Sequence, residues 1–542
     1  MSVTDLPAPR SLSRQAALAA LAIGGLLLLG AALYGRIMGF DLRRDEWMFV
    51  PPAATLSDWP LYSGQFYNHV PYSAWAFRAV HLALPGLDLL TSARLTVFVA
   101  WILLMGGGFW AGWRIAGSVR AGLFAAAIPL GSETLLSQAG MAATNNLLPL
   151  PFILLGLALF TMAHLSGRSP FGLYFAAGLS LSVAAGMKAS AIAFVPAVVA
   201  ACFLLPRGVP LARRARLTAL PVALGGLVGA LPLIWLALTE PTFFDHILRY
   251  HSGPHVAYWQ ANAASEPGLA MGLPGKVQLA QGVWLAGGAI LGLFVAAMAW
   301  TMWSQSSGRD DDAARAAQAA GVVAAAMGTA AALAFVPTPA FPQYFIQPLA
   351  GLPVLAALAI RALPPAPRTV LLRALPAAAV LMGAVALPRL ATGLADLRHP
   401  DLLTPARLSH GAEALARLAA PDGLAAGPVA TLSPLYPLQA GLPIYPEFAT
   451  GPFAWRVAGH IDPALRASYV MAGPEDLARL FGTRPPVAIL TGFDPALEAP
   501  LEDYARAHGY RPRAIPEIQD RYGTGTLWLP AGSTQDNPGG TP

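Results

Sequence analysis

Long apolar runs alternate with short polar intervals along the first 390 residues, and each long run approaches the 17 to 25 residues a helix needs to cross roughly 30 Å of hydrocarbon. The runs at 16–34, 95–113, 147–163, 217–238, 283–303, 316–336 and 345–360 predict membrane helices. Two weaker runs add to these: 121–137, with Glu133 near one end, and 370–387, with Arg373 near the other. The run 171–205 is about twice the bilayer length and is interrupted only by Lys188, which predicts two helices with a tight turn there. The expectation is a membrane all-α architecture of about eleven transmembrane helices.

Sidedness follows from arginine, which cytoplasmic loops retain. Arg10 and Arg14 precede the first run, and alternate short loops carry Arg114 and Arg120, Arg168, the cluster Arg207, Arg213, Arg214 and Arg216, then Arg309 and Arg315, then Arg361 and Arg368. All fall on one side. The reading places the amino terminus in the cytoplasm and the chain beyond about residue 390 outside it, in the inner (plasma) membrane of a bacterium. The first run has no convincing small-residue cleavage site and is expected to stay as a helix.

Three outer segments hold most of the unusual polar residues. The first, 35–93, reads as short amphipathic pieces punctuated by prolines, with Trp47, Trp59, Tyr62, Tyr72 and Trp75 among its aromatics. The second, 240–282, contains Asp245, His246, Arg249, His251 and His255. The third is the tail, in which 428–432 and 487–491 look like buried strands and 475–481 and 501–508 like helices, predicting an extracytoplasmic α/β domain over 390–532. The membrane domain is thus 1–389, including the outer loop 35–93, and 533–542, rich in Gly and Pro, reads as a disordered tail.

Composition agrees: of 542 residues 56% are hydrophobic and 11% charged, with a mean hydropathy of +0.54, which excludes an ordinary soluble domain. The net charge of +6 reflects the arginine asymmetry and points to a lipid bilayer, not to nucleic acid. Cys202, the single cysteine, lies in an apolar run, so no intramolecular disulfide forms. There is no Walker A sequence, no Cys and His metal spacing and no nucleophile elbow, which leaves nucleotide hydrolysis without a site. No internal repeat of the kind that builds many transporters is seen.

The candidate chemistry centres on Arg44-Asp45-Glu46-Trp47, just past the first run. Carboxylates at a membrane mouth are costly to keep near lipid and suggest chemistry. Asp45 suits a general base acting on an acceptor hydroxyl. Glu46, on another side of its element, would orient neighbours, bind a metal or contact substrate; alternatively both acids simply pair with Arg43 and Arg44 at a helix start. Lys188 would hold a phosphate and stabilise it as it leaves, or else snorkel to the headgroups. Arg249, His246 and His251 are candidates for the same anionic pocket. Asn145 and Asn146 are read as caps of the helix they precede. Gln343 and Tyr344, after a Pro-rich turn, either face a cavity or belong to an aromatic belt.

On these residues the layout resembles the GT-C superfamily of glycosyltransferases that use polyprenyl-phosphate sugars, in particular its bacterial members similar to protein O-mannosyltransferases and aminoarabinose transferases. Asp45-Glu46 followed by aromatics, then His69-Val-Pro71-Tyr72 and a helix ending at Leu84-Pro85-Gly86, is similar to that family's first outer loop. Lys188, in Ala185-Gly-Met-Lys-Ala, is similar to its lysine turn, Phe243 through His251 to a later loop, and Tyr344-Phe-Ile-Gln-Pro348 to the start of a late span. Met48 stands where a histidine is common and Asn145 where an acidic residue is. The resemblance implies inverting transfer of a sugar from a polyprenyl-phosphate donor to an extracytoplasmic acceptor, whether lipid, glycan or protein. It implies Asp45 and Glu46 as catalytic residues and Arg44, His69, Lys188, Arg249, His251 and Tyr344 as substrate-binding ones; no cofactor is certain, and a divalent cation is possible. The competing class is a transporter or flippase of lipid-linked sugars, and a second rival is a scaffold for envelope assembly.

Overall fold

The computed structural model describes residues 10–167, 170–205, 208–266, 268–307, 310–421 and 427–531. Arg168, Arg207, Arg309, the side chains of Arg10 and Arg14, and the tail expected at 533–542 lie outside these. Among the described residues, six helices are long and apolar enough to cross a membrane: Ala19–Met38, Leu89–Ala116, Leu211–Thr239, Asp311–Ala334, Pro342–Arg361 and Pro365–Asp396. Five apolar helices are shorter: Val119–Leu130, Leu150–Leu165, Phe171–Met187, Ala189–Leu204 and Ile290–Ser304.

Two of the expected runs are shorter as helices than their hydropathy suggests, for one shared reason. The run expected at 121–137 leaves α-helix at Leu130, and that expected at 283–303 begins its membrane helix only at Ile290. The chain crosses itself there: the Ala289 amide donates to the Gly131 carbonyl at 3.0 Å, and Gly287 takes φ +78, a conformation open to glycine. Hydropathy does not register such a crossing.

The helices are named in chain order as α1 (Arg10–Met38), α2 (Arg44–Ala54), α3 (Tyr72–Ala83), α4 (Leu89–Ala116), α5 (Val119–Leu130), α6 (Leu150–Leu165), α7 (Phe171–Met187) and α8 (Val195–Leu204). α4 spans roughly 40 Å at 1.5 Å per residue. At its far end arginines gather: Arg361 pairs with Asp312 at 2.9 Å and donates to the Ile115 carbonyl, and Arg368 donates to the Ala116 carbonyl. At its near end Arg94 meets the start of α2. The outer segment is folded onto this near end as α2 and α3. Pro51 and Pro52 lie inside α2, although they were expected to punctuate the segment, and the helix survives them for less than one further turn.

α7 packs against the helix Leu220–Thr239 through small residues, as membrane helices do where close backbone contact replaces the hydrophobic effect. A Cβ on Gly225 would stand 1.9 Å from the Phe175 carbonyl oxygen, and one on Gly178 2.0 Å from that of Val222. Gly225→Ala is therefore expected to destabilise the fold by about 1–3 kcal/mol, read as a lower midpoint of thermal unfolding in detergent. A variant as stable as the parent would show that the two helices do not approach this closely.

The C-terminal domain holds a four-stranded sheet of order β1-β2-β4-β3, with β1 (Val429–Thr431) parallel to β2 (Ala488–Thr491), and β3 (Tyr510–Gln519) and β4 (Thr524–Pro530) antiparallel. The two expected strands are β1 and β2. The two expected helices appear as Leu477–Thr483 and Pro495–Ala507, while the hairpin β3–β4 was not anticipated. β3 is an edge strand, mostly exposed and carrying Pro512 and Pro516, so it lacks the apolar alternation that signals a strand.

Candidate functional site

The start of α2 is fixed by Glu46, not by Asp45. The Glu46 carboxylate, fully buried, accepts from the Arg43 amide at 3.0 Å and from the Ala143 amide at 2.9 Å, and takes a bidentate pair of bonds from Arg94, both at 2.9 Å. Arg94, equally buried, also donates to the carbonyls of Ile37, Met38 and Phe40. Glu46 was expected beside Asp45 as a catalytic residue; it is turned into the protein because successive helical residues diverge by about 100°. The two acids do not pair with Arg43 and Arg44 as the simpler alternative had it: Arg44 pairs with Asp494 at 3.0 Å, donates to the Phe493 carbonyl and stacks on Tyr522 at 4.4 Å.

Asp45, one position earlier, faces a cavity of about 240 Å³. The lining brings together much of what the sequence singled out: Arg44, Asp45, His69, Lys188, His251 and Tyr344. Asp45 is half-buried, and its desolvation raises the carboxyl above the ordinary aspartate range while Arg43, Arg456 and Lys188 pull it down. Four cationic side chains, Arg43, Arg44, Lys188 and Arg456, line the cavity with two carboxylates, Asp45 and Glu266, so it suits an anion.

Lys188 follows α7 in extended conformation, at the turn the sequence predicted, and a 3-10 turn leads from it to α8. Its ammonium donates to Asn146 Oδ1 at 2.6 Å and lies 5.6 Å from the Tyr344 ring centre. Burial pushes Lys188 down to about 8, opposed by Asp45. Asn145 and Asn146 line the cavity; they do not cap α6, whose first turn begins at Leu150 after Pro149. The expected caps are instead the lysine's neighbours.

His69, His251 and His255 line the same wall. His251 Nε2 stands 2.7 Å from the Asn68 carbonyl, which requires that nitrogen to carry the proton. Burial lowers the pKa of all three, to about 2 for His255, so at neutral pH they are polar groups without charge. Arg249, expected in this pocket, is not there. Its side chain is 79% exposed and pairs with Asp245 at 2.7 Å, lining a separate cleft with His246 and Tyr469. Three lining residues that sequence reasoning missed, Phe453, Arg456 and Tyr522, come from the C-terminal domain, more than 400 residues from Asp45 along the chain. No local pattern marks them.

A separate apolar groove is lined by Tyr72, Trp75, Leu179, Val183, Met187 and Pro232. Met187 immediately precedes Lys188. The Tyr72 hydroxyl donates to the Gly229 carbonyl at 2.5 Å, fixing that wall.

Comparison with known proteins gives the fold. No family model matches the sequence, and no curated protein matches it significantly. Among solved structures, ArnT from Cupriavidus metallidurans superposes with a TM-score of 0.59 at 16% identity, over 95% of this chain and 98% of that one, both bound to undecaprenyl phosphate and in the apo state. The Archaeoglobus fulgidus oligosaccharyltransferase tethered with an acceptor peptide is more distant, at a TM-score of 0.48 and 13% identity over 92% of this chain and 73% of that one. The chain has the GT-C fold.

Proposed function

We propose that this protein is a multi-pass membrane glycosyltransferase that moves a sugar from a polyprenyl-phosphate donor to an acceptor on the outer face of a bacterial inner membrane, with inversion at the anomeric carbon. One observation carries the reading: Asp45 and Lys188 line a single cavity, and Met187, the residue before Lys188, lines a separate apolar groove. Undecaprenyl phosphate, to which the C. metallidurans ArnT is bound in one crystal, has the two parts such an arrangement fits, a phosphate and a long prenyl chain.

In this reading Asp45 takes the proton of the acceptor hydroxyl as its oxygen bonds to the anomeric carbon. The bond from that carbon to the phosphate oxygen breaks, and polyprenyl phosphate departs with the charge held by Lys188. A single displacement of this kind inverts the centre without a covalent intermediate. Arg44 clasps α2 to the C-terminal domain and keeps Asp45 at the cavity floor. Glu46 and Arg249 lie outside the reacting centre. The lining does not fit a divalent cation, since its two carboxylates, Asp45 and Glu266, stand among four cationic side chains and no three His, Cys, Asp or Glu side chains converge among the described residues. The charge a metal would supply at the phosphate comes from Lys188 and Arg43.

The reading is tested by supplying a panel of polyprenyl-phosphate sugars to the purified protein and measuring release of polyprenyl phosphate. Turnover with one donor supports a transferase. Movement of the intact donor between leaflets of a vesicle, without release, would leave a flippase in its place.

A pH profile is the second check. Lys188 must be charged to hold phosphate, and its ammonium is present below about pH 8 and lost above it. Asp45 must be ionised, and its raised pKa removes the base as pH falls through it. The rate at limiting donor is expected to fall about tenfold per pH unit above 8 and to decline again on the acid side. Lys188→Arg, charged throughout, is expected to lose the alkaline limb. A profile flat from pH 7 to 10 in the parent protein removes Lys188 from the donor site.

A further inference from the structure

Of the four cationic side chains of the cavity, Arg456 is one that the donor does not use. Arg456 follows the short helix Pro452–Trp455 of the C-terminal domain, and its guanidinium is held among rings, 4.6 Å from the centre of Phe453, 4.9 Å from Trp259 and 5.4 Å from Tyr258. Among the described residues no carboxylate lies within ion-pair distance of it, whereas Arg44 beside it has Asp494. Stacking holds a guanidinium by its faces; at its edge, a planar fork of N–H donors, Arg456 meets the Tyr250 hydroxyl, and its Nε–H is buried without a partner. At the same wall the indole N–H of Trp259, His255 Nδ1 and Gln343 Oε1 are buried without a hydrogen-bond partner. Such groups are costly to leave unpaired, and together they describe a built polar site.

Its position decides which substrate it serves. Lys188 follows Met187 of the groove and donates to Asn146, whereas Arg456 belongs to the C-terminal domain and stacks on Trp259 of the helix Pro254–Asn262. The two cations therefore have different neighbours in the one cavity, Lys188 with Asn146 and Tyr344, and Arg456 with Phe453, Trp259 and Tyr258. In an inverting displacement the attacking and leaving oxygens occupy opposite faces of the anomeric carbon. With the leaving phosphate at Lys188, the separately held Arg456 is left for the acceptor.

We propose that Arg456 is a specificity-determining residue that binds a phosphate or carboxylate carried by the acceptor, apart from the donor phosphate at Lys188. The assignment rests on the transferase reading above and narrows it, because it makes the acceptor an anionic molecule whose reacting hydroxyl lies near its charge. The C-terminal domain thereby reads the acceptor, while the membrane domain reads the donor.

The test uses the full-length protein in detergent and reads the shift in unfolding midpoint caused by three probes at matched ionic strength: inorganic phosphate, acetate and polyprenyl phosphate. In Lys188→Gln, inorganic phosphate or acetate is expected still to stabilise the protein, and adding Arg456→Gln to that variant is expected to weaken the affinity about tenfold or more. Arg456→Lys, which keeps the charge without the fork, is expected to fall between. Polyprenyl phosphate is expected to stabilise Arg456→Gln as it does the parent protein, and to lose most of its effect in Lys188→Gln. Equal stabilisation by phosphate and by acetate in Lys188→Gln with and without Arg456 would overturn the proposal, as would loss of polyprenyl-phosphate stabilisation in Arg456→Gln, which would put Arg456 at the donor. Undiminished polyprenyl-phosphate stabilisation in Lys188→Gln would instead overturn the donor reading, a result distinct from either.

Discussion

Asp45→Asn is expected to reduce sugar transfer by about 10²- to 10⁴-fold while the protein folds and still binds polyprenyl phosphate. The substitution keeps the size and the polar character of the side chain and removes its ability to accept the acceptor's proton. It makes no demand on the scaffold, because the groups that fix α2 belong to Glu46. A second consequence distinguishes a base from a mere contact. Asp45 is the charge that supports the Lys188 ammonium against burial, so its loss lowers the Lys188 pKa further below about 8. The alkaline limb of donor binding is therefore expected at lower pH in Asp45→Asn than in the parent. Release of polyprenyl phosphate at a rate within a few-fold of the parent would assign the base elsewhere.

Separating Glu46 from Arg94 is expected to cost about 3–5 kcal/mol of stability, the range for breaking a buried ion pair by removing one partner. Both side chains are fully buried, and between them they bind the end of α1, the start of α2, α4 and the backbone at Ala143. Glu46→Ala leaves a guanidinium without its fork partner and two backbone amides without an acceptor, and Arg94→Met removes the carboxylate's ionic partner and the donor to the Ile37 and Met38 carbonyls, the Phe40 carbonyl keeping Thr404. Joining the two substitutions is not expected to restore stability, because the backbone groups stay unsatisfied. Arg94→Lys is expected to restore only part of it, since a single ammonium cannot serve two carboxylate oxygens and three carbonyls in one geometry. Thermal unfolding in detergent reads these effects. The milder Glu46→Gln separates structure from chemistry: if it folds, it is expected to retain turnover, and a folded but inactive Glu46→Gln would return Glu46 to the reacting centre.

The pair Asp45-Glu46 shows how far the linear pattern reaches. Two acids after an apolar run announced a costly and therefore purposeful feature, and their helical phase announced that they face different ways. Which of the two met the cavity depended on Arg94, 48 residues away, and on the amide of Ala143. Lys188 was legible because a lone cation in an apolar run of double length has few places to be other than a turn. Asn146 was misread as a cap because its partner, Lys188, lies 42 residues on. Arg249 looked like a ligand from its neighbours in sequence, but Asp245, one helical turn earlier, claims it.

The sequence by itself determined that the chain is a bundle of apolar helices with one arginine-rich end, that its acids and its lysine turn fall away from that end, and that a small sheet domain follows. Those are properties of composition and period, fixed by how far a helix must run to satisfy its backbone in lipid. The tertiary structure alone decided that Asp45 and not Glu46 lines the cavity, that three neutral histidines line it as well, and that Arg456 of the last domain joins them. Each of these depends on contacts between residues tens to hundreds of positions apart, where packing and charge pairing select the partner and no local signal survives in the order of the residues.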